Sequence, residues 1–424
     1  MKYKDQTVAP DIVIPSSVEV PSFTEVRTPE GGKLYHVDVS DLDLLRISVV
    51  FRAGVRYQTH PFTASATVNM LAEGTASSTS AELAEMLDYY GMYYNVSIDR
   101  DYSIVTVCCL NRFLDKALSL LSEILTEPLF PDDELAIYSS KRKQSLIVDR
   151  TKVDVMASEL FWRSVYGEDH PYGRSSSEDG YDTLTGDMLR RFFRDHYNLE
   201  NSFTVVSGKI EPGFIERISE VVDRLPHGTR SFNCLPAPHS VRVASADKPD
   251  ALQAAIRMGR VLFKSDHPDY VTMQVVSTVL GGYFSSRLVQ NLREDKGYTY
   301  GAWSQVGCME DSGYIAVATQ VAAEHARDAV REIFREMERL RTEPVPSEEL
   351  DMVKSVMIGE MMRILDGPFG ICDVVIENVQ NGADNGRIKK IVEEINRTTP
   401  KDVMKAASLY LRKEDITTVT VGGI

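Results

Sequence analysis

LGGYFSSRLVQNLREDKGYTYG, residues 280–301, sets two glycines after an apolar run, then a serine pair, a leucine stripe, a glycine stop and an aromatic run. Gly281 and Gly282 end one helix, because glycine tolerates backbone angles that other residues avoid. Ser285 and Ser286 are good helix-starting residues. The spacing predicts a helix over 285–296 with Leu288 and Leu292 on one face. Gly297 stops it, and a strand through Tyr298, Tyr300 and Trp303 is expected next. Arg293 at the helix end and Tyr300 on the strand then project toward one point, with Tyr298 as the alternative phenol. A guanidinium beside a phenol suits gripping a peptide carbonyl or a developing oxyanion. An ordinary surface arginine with a half-buried strand tyrosine fits the same local pattern.

Working outward, the plan around this segment occurs twice. The first half reads as a strand (45–51), His60-Pro61, a helix ending near Leu71, and a helix from Ser80 to Tyr90 broken by Gly91. An alternating strand from Tyr102, a helix over 114–125 and a long helix after Pro131 follow. The second half repeats this order: a strand (254–258), His267-Pro268, a helix to Leu280, the segment ending at Gly297, a strand (314–319), a helix (324–340) and a long helix after Pro346. The offsets agree: 207 for the histidines, 206 for the glycines and 215 for the prolines. The expected fold is therefore α+β, with two similar duplicated domains, each a mostly antiparallel sheet with helices on one face. Expected boundaries are an extended arm over 1–20, a first domain over 21–225, a linker over 226–249 and a second domain over 250–424.

Composition narrows the function. A chain of 424 residues exceeds one ordinary core. Its 43% apolar and 26% charged residues are ordinary for a soluble globular protein. A formal charge of −15 argues against nucleic acid or an anionic membrane surface as partner. Apolar runs such as 47–51 are too short to span a bilayer. The start MKYKDQTVAPD has no apolar leader, which points to the cytoplasm. Five cysteines form no CxxC pair, and adjacent Cys108 and Cys109 in a strand-like run are expected as buried free thiols.

Several stretches together carry a resemblance. They are AGVRYQ (53–58), MLAEGT (70–75), SAELAEMLDYYGMYYNVSIDRDY (80–102), HPYGR (170–174), DTLTGDMLRRFFRDHYNLENSFTVVSG (182–208) and the opening segment. In this order they resemble the insulinase-like zinc peptidases, peptidase family M16, of the short two-domain bacterial and mitochondrial-processing type. The resemblance implies the duplicated fold and a peptide chamber between the halves. Active members carry H-x-x-E-H on the helix before the step matched by Met70-Leu71, where two histidines hold zinc and the glutamate activates water.

This chain departs there. The aligned residues are Ser65-Ala66-Thr67-Val68-Asn69: neither histidine is present, and Val68 stands for the glutamate. The family's third ligand, a glutamate, falls within 137–150, a turn that carries Lys141, Arg142 and Lys143 instead. None of the eight histidines has a second one four residues away, so no other helix rebuilds the pair. No metal and no cofactor is expected in this chain.

Arg293 and Tyr300, by contrast, match the family positions from which the second domain reaches toward the zinc-bound substrate, with R-E-x-x-G-x-x-Y spacing intact. Some family members divide the work between two chains. The resemblance therefore implies a non-catalytic, peptide-binding subunit that lends Arg293 and Tyr300, beside Tyr298 and the Gly281-Gly282 loop, to a zinc-bearing paralogue. A binding or scaffold protein of the same fold, self-associating as a homodimer, is the second expectation, and an autonomous zinc peptidase the third.

Overall fold

The computed structural model describes residues 7–8, 18, 21–39 and 42–423. The expected arm at 1–20 thus lies almost wholly outside the described residues. Two sheets organise the chain. The first contains β1 (Thr24–Arg27), β2 (Lys33–Asp38), β3 (Leu44–Phe51), β4 (Tyr93–Ile98), β5 (Ser103–Leu110) and β6 (Ser202–Gly208), in the order β1-β2-β6-β3-β5-β4. The second contains β7 (Val243–Asp247), β8 (Gln253–Leu262), β9 (Ala302–Met309), β10 (Ser312–Ala322) and β11 (Thr417–Gly422), in the order β7-β11-β8-β10-β9. Stripped of β1, the two orders are the same. Each also contains one parallel pair, β2 with β6 and β7 with β11, among antiparallel ones. The duplication read from the offsets is a duplication of topology.

Local sequence explains the helices of the first half: α1 (Thr63–Asn69), α2 (Ser80–Tyr90), α3 (Leu114–Thr126), α4 (Asp132–Asp149), α5 (Val153–Tyr166), α6 (Gly186–His196) and α7 (Phe214–Val222). Thr79 and Glu82 form a reciprocal cap at the start of α2, and Gly91 closes it in the left-handed region at φ 59°. The second half contributes α8 (Tyr270–Ser277), the short α9 (Arg287–Val289), α10 (Ala326–Thr342), α11 (Ser347–Ile364), α12 (Pro368–Gln380), α13 (Arg387–Arg397) and α14 (Pro400–Tyr410).

One feature of the packing has no local signature. On the side away from its own core helices, each sheet is covered by a helix from the opposite half. From the first half, α5 lays Ala157, Phe161 and Tyr166 on Ala255, Val419 and Val421 of the second sheet. Reciprocally, α12 lays Ile371, Cys372, Val375 and Ile376 on Val37, Val50 and Val205 of the first. The halves are interlocked by this exchange, and fully buried aromatic and aliphatic side chains of that size are worth about 1.5–3 kcal/mol each.

The expected linker over 226–249 contains a strand: regular structure resumes at β7, already hydrogen-bonded to β11. The helix expected over 285–296 is short and irregular, with α9 leading into π-type turns over Gln290–Asp295. Tyr298 and Tyr300 are not strand residues, since β9 begins at Ala302. All five cysteines are free thiols; Cys109 is buried and Cys108 half-buried.

Candidate functional site

The degenerate motif lies on α1, where positions 65 and 69 share one face by helical spacing. Ser65 turns its hydroxyl back to the carbonyl of Phe62 at 3.0 Å. The amide nitrogen of Asn69 donates to the carbonyl of Ser65 at 2.7 Å. Its amide oxygen accepts from Nη2 of Arg142, on α4, at 3.3 Å. The Arg142 guanidinium also stands over the Tyr138 ring, 5.5 Å from its centroid. Burial pushes the Tyr138 phenol up, with Arg142 and Ser65 pulling the other way. Val68 is fully buried in the apolar core of this half.

The donors here do not fit a zinc ion. A hydroxyl and an amide, both engaged with backbone, face a permanently charged guanidinium rather than a third ligand. A cation from α4 thus takes up the acceptor that the helix offers. Position 68, where active members need a carboxylate facing the metal, supplies only apolar packing. Among the described residues, no three His, Cys, Asp or Glu side chains gather closely enough to hold a metal.

The second locus is the opening segment. Thr278–Gly282 forms a π-type turn at the end of α8, and such turns recur at functional sites. Gly281 is buried against β9: a Cβ there would meet the backbone nitrogen of Ser304 at 2.6 Å. Gly282 is exposed. Leu288 and Leu292 are buried in the second core, as their spacing predicts. Arg287, which sequence reading passed over, fastens the segment through two parallel bonds to Glu349, at 2.8 and 2.9 Å. Asn291 adds bonds to Glu332 and Glu336 of α10.

On this anchored base the two predicted side chains stand apart. Arg293 lies over the Phe284 ring at 4.7 Å and 3.3 Å from Glu294. Tyr300 is 93% exposed, in the turn where Thr299 Oγ1 accepts from the nitrogen of Gly301 at 3.0 Å. Tyr298 turns inward and stacks on His325 at 4.2 Å. Among the described residues no hydrogen bond or ring contact joins Arg293 to Tyr300, so the expected convergence on one point is not a direct contact. Arg293 is half-buried and Tyr300 exposed, while Tyr298 is committed to packing.

Comparison with known proteins bears on the family and the fold. A family model described as Peptidase M16 inactive domain matches residues 183–357, and one described as Insulinase (Peptidase family M16) matches residues 44–160. The chain is 25% identical over 305 residues to an uncharacterized zinc protease, YmxG, of Bacillus subtilis, spanning 70% of this chain and 73% of that one. It is 25% identical over 352 residues to an uncharacterized zinc protease of Rickettsia felis, spanning 80% and 83%. Among solved structures it matches a peptidase M16 inactive domain from Pseudomonas fluorescens, with TM-score 0.87 at 22% identity, over 95% of this chain and 98% of that one. A protease from Helicobacter pylori matches with TM-score 0.85 at 17% identity, over 95% and 100%. With two family models that together cover most of its length and a duplicated topology shared with those structures, the chain belongs to peptidase family M16.

Proposed function

We propose that this chain is the non-catalytic, peptide-binding subunit of a two-chain M16-type peptidase, lending Arg293 and Tyr300 to a zinc-bearing paralogue. The observation that carries the reading is the contrast within one segment. Arg287, Leu288, Asn291, Leu292 and Tyr298 are all tied down, whereas Tyr300 is 93% exposed and, among the described residues, the Arg293 guanidinium meets only an adjacent carboxylate and an exposed ring. Rigid anchoring of a segment that leaves two donors unused by the fold suits binding to something outside it. Charged and phenolic donors accelerate a reaction when they meet charge that develops only in the transition state. At the first locus, an amide answered by Arg142 and a hydroxyl turned back to the backbone support a chain that binds no zinc of its own.

The test is co-expression with an H-x-x-E-H paralogue, followed by sizing and a peptide-cleavage assay. The reading expects a mixed complex that cleaves peptide where this chain alone does not. A homodimer inert with every such paralogue would mark a binding or scaffold protein instead.

A further inference from the structure

The internal repeat contains a mismatch. In the first half the helix after β5, α3, is covered by α7. Arg217 of α7 pairs with Asp115 of α3, and Nη1 of Arg224 donates to the Ser122 hydroxyl at 3.2 Å. Phe214, Ile218, Val221 and Val222 of α7 enter the core beside Leu118, Leu121 and Leu125. In the second half the corresponding helix after β10 is α10, and among the described residues no helix follows β11 to cover it. In its place is a groove of about 700 Å³ between α10 and the β7–β11 edge.

The groove is apolar at its floor and cationic at its rim. Val243, Val330, Phe334, Met337 and Leu411 line it, and Val243 is 72% exposed. Arg327, Arg331, Arg335, Arg341 and Lys413 surround them against one lining carboxylate, Glu338. This is a dense cationic patch on a chain of formal charge −15. Arg331, Arg335 and Arg341 are each shared with an acid on their own helix, Asp328, Glu332 and Glu338. Arg327 and Lys413 have no carboxylate within ion-pair distance among the described residues, and Nε of Arg341 is buried without a hydrogen-bond partner. Glu332 and Glu336 of α10 also accept from the amide of Asn291.

We propose that this groove docks an acidic amphipathic helix of a partner protein, in the place that α7 holds in the first half. Its occupant has an apolar stripe like Phe214, Ile218 and Val221, flanked by carboxylates spaced like Glu216 and Glu220. The cations run from Arg327 to Arg341, about 21 Å along a helix rising 1.5 Å per residue. A single-headed anion cannot answer charges spread over that length, whereas a helix with acids every fourth residue can. The inference uses neither Arg293 nor Tyr300, so it stands or falls separately from the proposed peptidase role.

The test uses the full chain and a stapled helical peptide carrying residues 211–225, EPGFIERISEVVDRL, with Arg217 and Arg224 replaced by Glu. Fluorescence anisotropy should show saturable one-to-one binding, and photo-cross-links from the peptide should fall on α10 or β7. Arg327→Glu combined with Arg331→Glu, both exposed positions, should weaken binding by about tenfold or more, since facing charges become like charges. Phe334→Ser should weaken it while circular dichroism and the unfolding midpoint confirm a folded chain. Undiminished binding to the charge-reversed chain, cross-links confined to the first half, or oleate displacing the peptide at lower concentration would each overturn the proposal.

Discussion

Arg56 and Asp101 form an ion pair of 2.9 Å with side chains only 2% and 4% exposed. It ties the two halves. The second guanidinium nitrogen of Arg56 reaches Asp311, at the tip of the β9–β10 hairpin, at 2.7 Å. The other oxygen of Asp101 accepts from the backbone nitrogen of Glu310 at 2.9 Å. The Tyr172 hydroxyl donates to Asp101 at 2.6 Å and accepts from Arg56 at 3.0 Å. Burial, then Asp101, drives the Tyr172 phenol far above its ordinary range, so it acts as a fixed donor. Burial alone would disfavour the charge on Arg56, but the bond to Asp101 and the neighbouring groups more than offset it.

Breaking such a buried pair from one side leaves a charge without its partner and costs about 3–5 kcal/mol. Arg56→Met and Asp101→Asn should each lower stability by that order in denaturant unfolding. The double variant should recover part of the loss, because neither member of the buried pair is left charged without the other. Strictly additive losses would show that the pair is not coupled.

Much of the fold could be read from the sequence because its signals are local. Thr79, Glu82 and Gly91 delimit α2 by their own chemistry, and Leu288 and Leu292 name their buried face. The exchange of α5 and α12 could not be read, since an apolar stripe does not say which sheet it meets. Strand β7 hid inside an expected linker because an edge strand paired only to β11 alternates weakly. The local pattern puts Tyr300 on a strand that begins two residues later, because the turn made by Thr299 with Gly301 and Thr319 depends on a neighbour 20 residues away. At the first locus the loss of ligands was legible. That Arg142 would reach Asn69 was not, although the basic cluster after Tyr138 marked the place.

Stability should fall on mild acidification through His170. It is buried among Tyr166 and Tyr172, and its Nδ1 accepts the backbone N–H of Tyr172 at 3.0 Å, which requires a neutral ring. Burial, reinforced by Arg56, depresses its pKa below the usual 6.5. The unfolded chain therefore takes up a proton that the folded chain refuses, so the contribution is present above about pH 6.5 and lost as pH falls toward the folded value. Replacing His170 with Gln should flatten the stability profile between pH 7 and 5, measured as unfolding midpoints. An unchanged slope would assign acid sensitivity elsewhere.

Gly281 and Gly297 separate two roles of glycine in one segment. A Cβ at Gly281 meets the Ser304 backbone at 2.6 Å, whereas at Gly297, with φ 65°, it meets nothing within 4 Å. Gly281→Ala should cost about 1–3 kcal/mol through overpacking that backbone cannot relieve. Gly297→Ala should cost about 1 kcal/mol through its left-handed backbone alone. Thermal unfolding of the two variants tests the order.

Rebuilding a metal site should need three changes. Ser65→His with Asn69→His supplies two imidazoles at helical spacing but leaves Arg142 facing them. Adding Arg142→Glu replaces the cation by a carboxylate next to position 69. Zinc analysis of the purified variants should show stoichiometric metal only in the triple variant, since three protein ligands are the minimum for a site of this type. Zinc near one equivalent in the unaltered chain would contradict the account of this locus.

With a zinc-bearing paralogue, Arg293→Ala should reduce turnover by about 10²- to 10³-fold, the usual loss for one donor to a developing oxyanion. Assembly should survive, because Arg287, Leu288 and Leu292 hold the segment without it. Tyr300→Phe should cost less, losing one hydroxyl from a side chain that is 93% exposed, and should leave unfolding of the isolated chain within about 0.5 kcal/mol. Tyr298→Phe is the internal control: its ring stacks on His325, so the hydroxyl is dispensable and activity should not change. Sizing, kcat and KM measured on the same preparations separate assembly from chemistry. If the mixed complex kept full turnover with both Arg293→Ala and Tyr300→Phe, donation by this segment would be wrong. A binding or scaffold role for the fold would then account better for its rigid anchoring.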